Sequence, residues 1–369
     1  MIPEAVTAAG GLLLVLLLFR IPVCRRRGGD KLAIRLTIII PARNEEANLP
    51  RLLDSLRGQA FRPLEVLVAD DGSTDRTAVE AAAHGAVVLP VPPLPEGWRG
   101  KTWACWQGAL AARGEAFLFL DADTFFYPDG LGCLIDTWRA DGGALSAGPF
   151  HEMARPHEGL SAFFALVMHA AMGAFPAGAR KGRAKGMFGP CLLVGREDYF
   201  RAGGHEGQKG RILENFFMAA RFSEAGVPVN CCGGRGCLGV RLYPGGWREL
   251  ADGWTKAFAA GAGQTPGPAL LGIVLWLSAC MAAALLPVLR LVSGGPAAAA
   301  GALGVYLGFA LLTGWELGRI GRYPRMAALF FPVPLLFFMA VFARSLFRQL
   351  TGRAVQWKGR SIAGKGGAS

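Results

Sequence analysis

An apolar excess concentrated at the two ends of the chain, rather than across its middle, sets the first constraint on what it can fold into. Residues 5–23 carry a single charge, Arg20, and are followed by Arg25-Arg26-Arg27. Near the other end, Ala269 to Val292, Pro296 to Thr313 and Met326 to Phe347 form three further apolar runs. About twenty apolar residues are needed to span a bilayer, and the N-terminal run just reaches that length. It reads as a retained anchor. A cleaved signal peptide would place its basic residues ahead of the apolar run and end in a small-residue cleavage site, and neither feature is present. The net charge of +12 invites a nucleic-acid partner, yet the Arg and Lys residues hug the apolar ends, where anionic lipid headgroups account for them. No nucleic-acid partner is expected.

The excess of positive charge on cytoplasmic loops puts the triple Arg, and the middle of the chain, in the cytoplasm. The last run is interrupted by Pro332-Val333-Pro334, which breaks or kinks a helix. A full crossing there would also carry Arg344, Arg348, Arg353, Lys358, Arg360 and Lys365 outside. Either this run turns back as a re-entrant hairpin or the charge bias fails here. The expected organisation is an anchor over 1–24, a cytoplasmic domain over 33–262, a membrane region with two to three helices over 263–350 and a basic tail over 351–369. The eight cysteines have no framework spacing, and in a cytoplasmic domain they read as reduced thiols.

From Leu36 to about Pro149 short apolar runs alternate with helical patterns, which predicts a parallel sheet with helices on its faces. Thr37 to Ile40, Glu65 to Ala69, Ala86 to Leu89 and Phe117 to Leu120 read as strands. Glu45 to Arg57 and Lys101 to Ala112 read as helices, the first with Leu49, Leu52, Leu53 and Leu56 on one face. Three strand ends then deliver polar groups to one sheet edge: Arg43-Asn44-Glu45, Asp70-Asp71 and Asp121-Ala122-Asp123. Ligands of open α/β sheets bind beyond the carboxyl ends of the strands. Two carboxylates there suit Mg²⁺ or Mn²⁺, which bind one or two carboxylates together with substrate phosphates. An Asp pair solvating a turn is the plainer reading of the last motif taken alone. No Gly-x-Gly-x-x-Gly follows the first strand and no P-loop occurs, so dinucleotide and P-loop readings lose support.

Ile40-Pro41-Ala42-Arg43-Asn44-Glu45-Glu46, Val68 to Asp75 and Asp121-Ala122-Asp123, in that order and spacing, resemble family 2 glycosyltransferases of the GT-A fold over roughly residues 36 to 262. The resemblance implies an α/β nucleotide-diphospho-sugar transferase domain. It places Pro41, Ala42 and Glu45 in the nucleotide pocket, Asp71 with Asp70 on the base, and Asp121 and Asp123 on ribose, metal and diphosphate. Lys101 would add positive charge near the phosphates; a solvated helix-start lysine is the alternative. Gly97 to Ala109, Gly148 to His151, Gly203-Gly204-His205 and Arg241 to Lys256 are similar to segments of membrane glycosyltransferases of carotenoid and hopanoid pathways. That implies transfer from UDP-glucose to a lipid, with a carotenoid carboxylate as the leading acceptor.

Family members carry a Glu-Asp pair whose Asp takes the acceptor proton, and here the pair is Glu214-Asn215. Asn cannot act as that base. Either Glu214 is the base, the acceptor needs none, or the chain is inactive. A carboxylate acceptor is already ionised at neutral pH, so it needs none. His205, Arg241, Tyr243, Trp254 and Lys256 are expected toward the acceptor, with the aromatic rings and the cation at headgroup level. Leu160 to Ala177 reads as a helix at the membrane surface, a buried core helix being the alternative. Competing functions are transfer to polyprenyl phosphate, ceramide or a hopanoid, and, from another class, a catalytically dead membrane scaffold.

Overall fold

The structure, a computed structural model, describes residues 2–27, 34–209, 214–255, 264–351, 355–357 and 360–362. The chain divides into two compact units: Pro22–Phe150 with Arg180–Arg241, and Met1–Ile21 with His151–Ala179 and Leu242–Ser369.

The first unit is built on a seven-stranded sheet of β1 (Leu36–Ala42), β2 (Glu65–Asp70), β3 (Val87–Pro90), β4 (Ala116–Leu120), β6 (Ala144–Gly148), β8 (Cys191–Gly195) and β9 (Val229–Gly233). Its order is β3-β2-β1-β4-β8-β6-β9. A second, three-stranded ribbon joins β5 (Thr124–Phe126), β10 (Leu238–Val240) and β7 (Phe150–His151). β1 is parallel to both β2 and β4, with Ile38 opposite Val66 and Leu118. Both faces of these strands are covered, which is why they read as unbroken apolar runs. β3 lies at the edge, is partly exposed and ends on Pro90, which denies a further strand its ladder donor.

The parallel sheet expected over residues 36–149 is present, with β1, β2, β3 and β4 mutually parallel; the later strand β8 inserts antiparallel between β4 and β6. An apolar run such as Cys191 to Val194 looks the same in either direction, so its composition does not encode polarity.

α2 (Leu49–Arg57) buries Leu49, Leu52, Leu53 and Leu56, a spacing that puts all four on one face. It begins later than expected because residues 46–48 form a turn, and Pro50 occupies its first turn, where a missing N–H costs nothing. α3 (Thr77–Ala83) follows β2; Asp75 Oδ1 accepts the Thr77 amide at 3.0 Å and closes its start. α4 (Gly100–Ala111) lies directly on β1, since a Cβ at Gly108 would meet Ile39 Cγ2 at 2.4 Å. α5 (Gly130–Asp141), α7 (Arg196–Arg201) and α8 (Glu214–Glu224) complete the unit. Its core gathers Leu36, Ile38, Ile40, Leu118, Leu120, Leu145 and Leu193, with the thiols of Cys24, Cys191, Cys232 and Cys237 packed among them.

The second unit is helical. α1 (Ile2–Leu17) packs on α10 (Gly267–Ile320), whose run is broken at Gly295, where φ is 71°. A Cβ at Gly10 would meet Ala279 at 2.4 Å and one at Gly11 would meet Phe309 at 3.1 Å. Residues on either side of Gly295 thus lie at one level of α1, so α10 is a hairpin whose turn falls between the two apolar runs expected from sequence. α11 (Arg325–Leu329) and α12 (Pro332–Leu350) follow, and Pro332 and Pro334 start α12 rather than kinking a longer helix. α10 and α12 are long and apolar enough to cross a membrane, whereas the 16 residues of α1 fall short. α9 (Trp247–Thr255) and α6 (Ala162–Ala171) belong to this unit as well.

The expectation of a membrane-surface helix over Leu160–Ala177 is corrected. α6 is buried on every side, with Phe163 stacked on Trp276 at 5.4 Å and Phe164 on Trp254 at 4.8 Å. A helix apolar all round belongs inside a protein.

Candidate active site

Three neighbouring parallel strands, β2, β1 and β4, end on one edge of the sheet and bring the expected polar motifs together. Asn44 turns the chain out of β1 in the left-handed region, with φ at 53°. Its amide donates to Ser73 Oγ at 3.0 Å and its Oδ1 accepts the Thr74 amide at 2.9 Å. Next to it, the Glu45 amide donates to Thr77 Oγ1 at 2.8 Å and Arg43 Nη1 donates to the Asp71 carbonyl at 2.7 Å. The first two motifs are thereby stitched into one wall.

Within that wall the two aspartates differ. Asp70 Oδ1 accepts both the amide and the hydroxyl of Ser73, at 3.0 and 2.5 Å, and so closes the Asp-Asp-Gly-Ser turn. Asp71 is buried, at 5% exposure, and its amide donates to the Ala42 carbonyl. Ala42 itself packs in the core, while Pro41 lines a cavity.

Asp121 leaves β4 at the start of a turn in which its carbonyl accepts the Thr124 amide and hydroxyl, at 3.1 and 2.7 Å. The acidic pair therefore sits on a turn rather than continuing the strand. Lys101 Nζ, from the first turn of α4, meets Asp121 Oδ1 at 2.5 Å and donates to the Gly189 carbonyl at 3.3 Å. Asp123 has its Oδ1 shut away from solvent with no hydrogen-bond partner among the described residues. Burial pushes its carboxyl up to about 7, and the negative charges of Asp121 and Glu45 add to this while Lys101 opposes it. A carboxylate desolvated among other carboxylates gains most from a cation. Hard oxygen donors in this number fit Mg²⁺ or Mn²⁺ with its remaining positions left to water and phosphate.

The cavity beside this pair is lined by Pro41, Lys101, Asp121, Phe188, His205 and Gln208, among others. His205, expected toward the acceptor, thus shares a cavity with the donor-side residues. Its ring lies 4.9 Å from that of Phe119, and Tyr199 Oη is 2.8 Å from Nδ1. Burial, with the Lys101 charge beside it, holds the imidazole neutral, its pKa lowered to about 3. Gln208, Phe188 and Gly189 were not expected from sequence. No motif marks them, since they meet the cavity only after β8 has inserted next to β4.

The remaining expected residues lie elsewhere. In the helical unit Tyr243 adopts φ 56°, and its ring lies against Gly253, where a Cβ would meet it at 2.2 Å. Trp254 is buried, its Nε1 donating to Ser161 Oγ at 3.4 Å, so the expected headgroup-level placement is corrected for this ring. His157 and His151 have structural partners, the Tyr243 carbonyl and Tyr323 Oη, each at 3.1 Å. Arg241 directly follows β10. Glu214 and Asn215 open α8, but their side chains lie outside the described residues, as does Lys256 entirely.

Residues 37–197 match Glycosyl transferase family 2. The chain is 35% identical to the 4,4'-diaponeurosporenoate glycosyltransferase of Staphylococcus aureus strain MRSA252 over 336 residues, covering 89% of this chain and 88% of that one. The protein of the same name from strain USA300 matches at 35% over 332 residues, with the same coverage. The chain belongs to glycosyl transferase family 2 and is a glycosyltransferase. Its fold is similar to that of the mannosyltransferase PcManGT from Pyrobaculum calidifontis, solved with GDP-Man and Mn²⁺, at a TM-score of 0.51 and 22% identity over 95% of this chain and 99% of that one.

Proposed function

We propose that this glycosyltransferase moves a hexose, glucose being the best-supported one, from a UDP-sugar to the carboxylate of a membrane-embedded carotenoid acid, with inversion at the anomeric carbon. The observation that carries the donor half is Asp123, whose buried Oδ1 has no described partner beside the Asp121–Lys101 pair at the ends of parallel strands. Asp121 and Asp123 would hold Mg²⁺ or Mn²⁺, which when bound neutralises charge on the leaving diphosphate. Lys101, already reaching into the cavity, supplies a second positive charge to the same oxygens. Asp71 holds the base and the stitched turn of Asn44 and Ser73 keeps the wall rigid.

The acceptor half rests on Glu214-Asn215 and on the named relatives in S. aureus. Proton removal is unnecessary when the nucleophile is a carboxylate with a pKa near 4. Asn215 then costs nothing, and Glu214 orients the acceptor. The lipid acceptor is supported by the apolar helices α10 and α12, which would hold the enzyme at the cell membrane with its sheet domain in the cytoplasm.

The test compares purified Glu214→Gln and Asn215→Asp variants on a carotenoid acid and on the corresponding alcohol. Glu214→Gln is expected to keep acid transfer within about tenfold of the parent, less than removal of a general base costs. Complete loss of acid transfer with donor binding intact would show that a base is required.

A further inference from the structure

Gln208 ends the short 3-10 turn Glu206–Gln208, is 2% exposed and lines the cavity that also holds Lys101, Asp121 and His205. Neither its Oε1 nor its Nε2 has a hydrogen-bond partner among the described residues. A buried amide left unspent is costly, and native proteins retain few of them. The apolar part of the cavity lining, Met187, Phe188, Leu192 and Met218, would accept a leucine without that cost. The amide needs a partner that both donates and accepts. A diphosphate only accepts and a polyene chain does neither, whereas sugar hydroxyls do both.

His205 supports the same conclusion. Tyr199 Oη accepts the His205 backbone N–H at 3.1 Å, and Nδ1, 2.8 Å away, is the acceptor within reach of the buried hydroxyl's own hydrogen. That arrangement leaves the ring hydrogen on Nε2, and the ring is among those lining the cavity. The transferred sugar is attached to the diphosphate assigned to Lys101 and Asp121, so it falls within the same space.

We propose that Gln208, together with His205, hydrogen-bonds hydroxyls of the sugar being transferred and sets which hexose the enzyme accepts. This rests on the donor reading given above. The test is calorimetric titration of the full-length protein in nanodiscs with Mn²⁺, using UDP, UDP-glucose, UDP-galactose and GDP-mannose as ligands. In Gln208→Leu, UDP affinity is expected to stay unchanged while the preferred nucleotide sugar weakens about tenfold, the scale of a lost buried hydrogen bond. The preference among sugars is expected to collapse toward unity. The ligand-free variant should melt no lower than the parent, because an unpartnered amide has been removed; Gln208→Met, closer in shape, provides a second check.

An unchanged sugar preference, an equal loss for UDP and its sugar, or unfolding of both variants would overturn the assignment. A parent protein that binds none of the four ligands would overturn the donor reading, and this assignment with it.

Discussion

The helical unit and the cavity region of the sheet unit both bury charged or strongly polar side chains, and they use them in opposite ways. In the helical unit Glu316 has no exposed side-chain surface and is met by Arg319 Nη1 at 2.7 Å; the same nitrogen donates to the Leu18 carbonyl at 2.6 Å. Glu4 is likewise met by Arg290 Nε at 2.6 Å. Both of these carboxylates have a guanidinium as counter-ion. In the sheet unit Asp123 Oδ1 and the whole Gln208 amide have no partner among the described residues, and Gln208 lines the cavity. Ion pairs closed within the fold hold helices in register, while polar atoms left open at a cavity await a ligand. The contrast separates architecture from chemistry.

The largest expected effect breaks the open side. Asp123→Asn is expected to lower transfer by about a thousandfold, as loss of a charge-stabilising group in a closed site does, and to abolish Mn²⁺ binding while the melting temperature of the metal-free protein holds or rises. Activity assays paired with metal titration would check this. A variant that stays active would mean that the unpartnered oxygen has no catalytic use.

A smaller effect probes the closed side. Arg319→Leu strands Glu316 in the helical interior, and breaking such a pair costs about 3 kcal/mol of stability. Thermal melts in detergent should show that loss with UDP-glucose binding by the folded fraction unchanged. Equal damage to donor binding would erase the distinction between the two units.

The smallest effect is shared by both units. His151 and His205 are held neutral with pKa values lowered to about 3, and His169 to about 4. Burial is the main cause in each; His169 beside His151, Arg319 beside His169 and Lys101 beside His205 add to it. In the unfolded chain these rings titrate near 6.5. Below that pH the unfolded state binds more protons than the folded one, so stability falls as pH drops from about 6.5 toward about 4. Melting temperatures recorded from pH 8 to pH 4.5 should be level at first and then decline; a flat profile would contradict the buried, neutral assignment.

How much of this was legible in the sequence differs between the units for the same physical reason. Asp70-Asp71-Gly72-Ser73 and Asp121-Ala122-Asp123 announce themselves because turn chemistry is local: a few adjacent side chains close the turn and face the ligand. Pro50 and the leucines from Leu49 to Leu56 mark the true extent of α2, whereas a start at Glu45 makes the helix too long. The antiparallel entry of β8 was not legible, because an apolar run has no direction. Gln208 was invisible for a related reason, since its value lies in the company it keeps across the fold. In the helical unit the apolar runs foretold helices and the Gly295 turn between them, but not that α6 and Trp254 are inside. Amphipathic contrast marks a surface, and α6 has none to read.

The most direct test of the account is a transfer experiment with the full-length protein, a membrane lipid extract, a panel of nucleotide sugars and added or chelated Mn²⁺, followed by mass spectrometry of the lipids. The account predicts metal-dependent release of UDP and a hexose-bearing lipid in which the sugar is joined through an alkali-labile ester to a carotenoid acid. Labelling of alcohol lipids alone, or transfer undiminished by chelation, would contradict it.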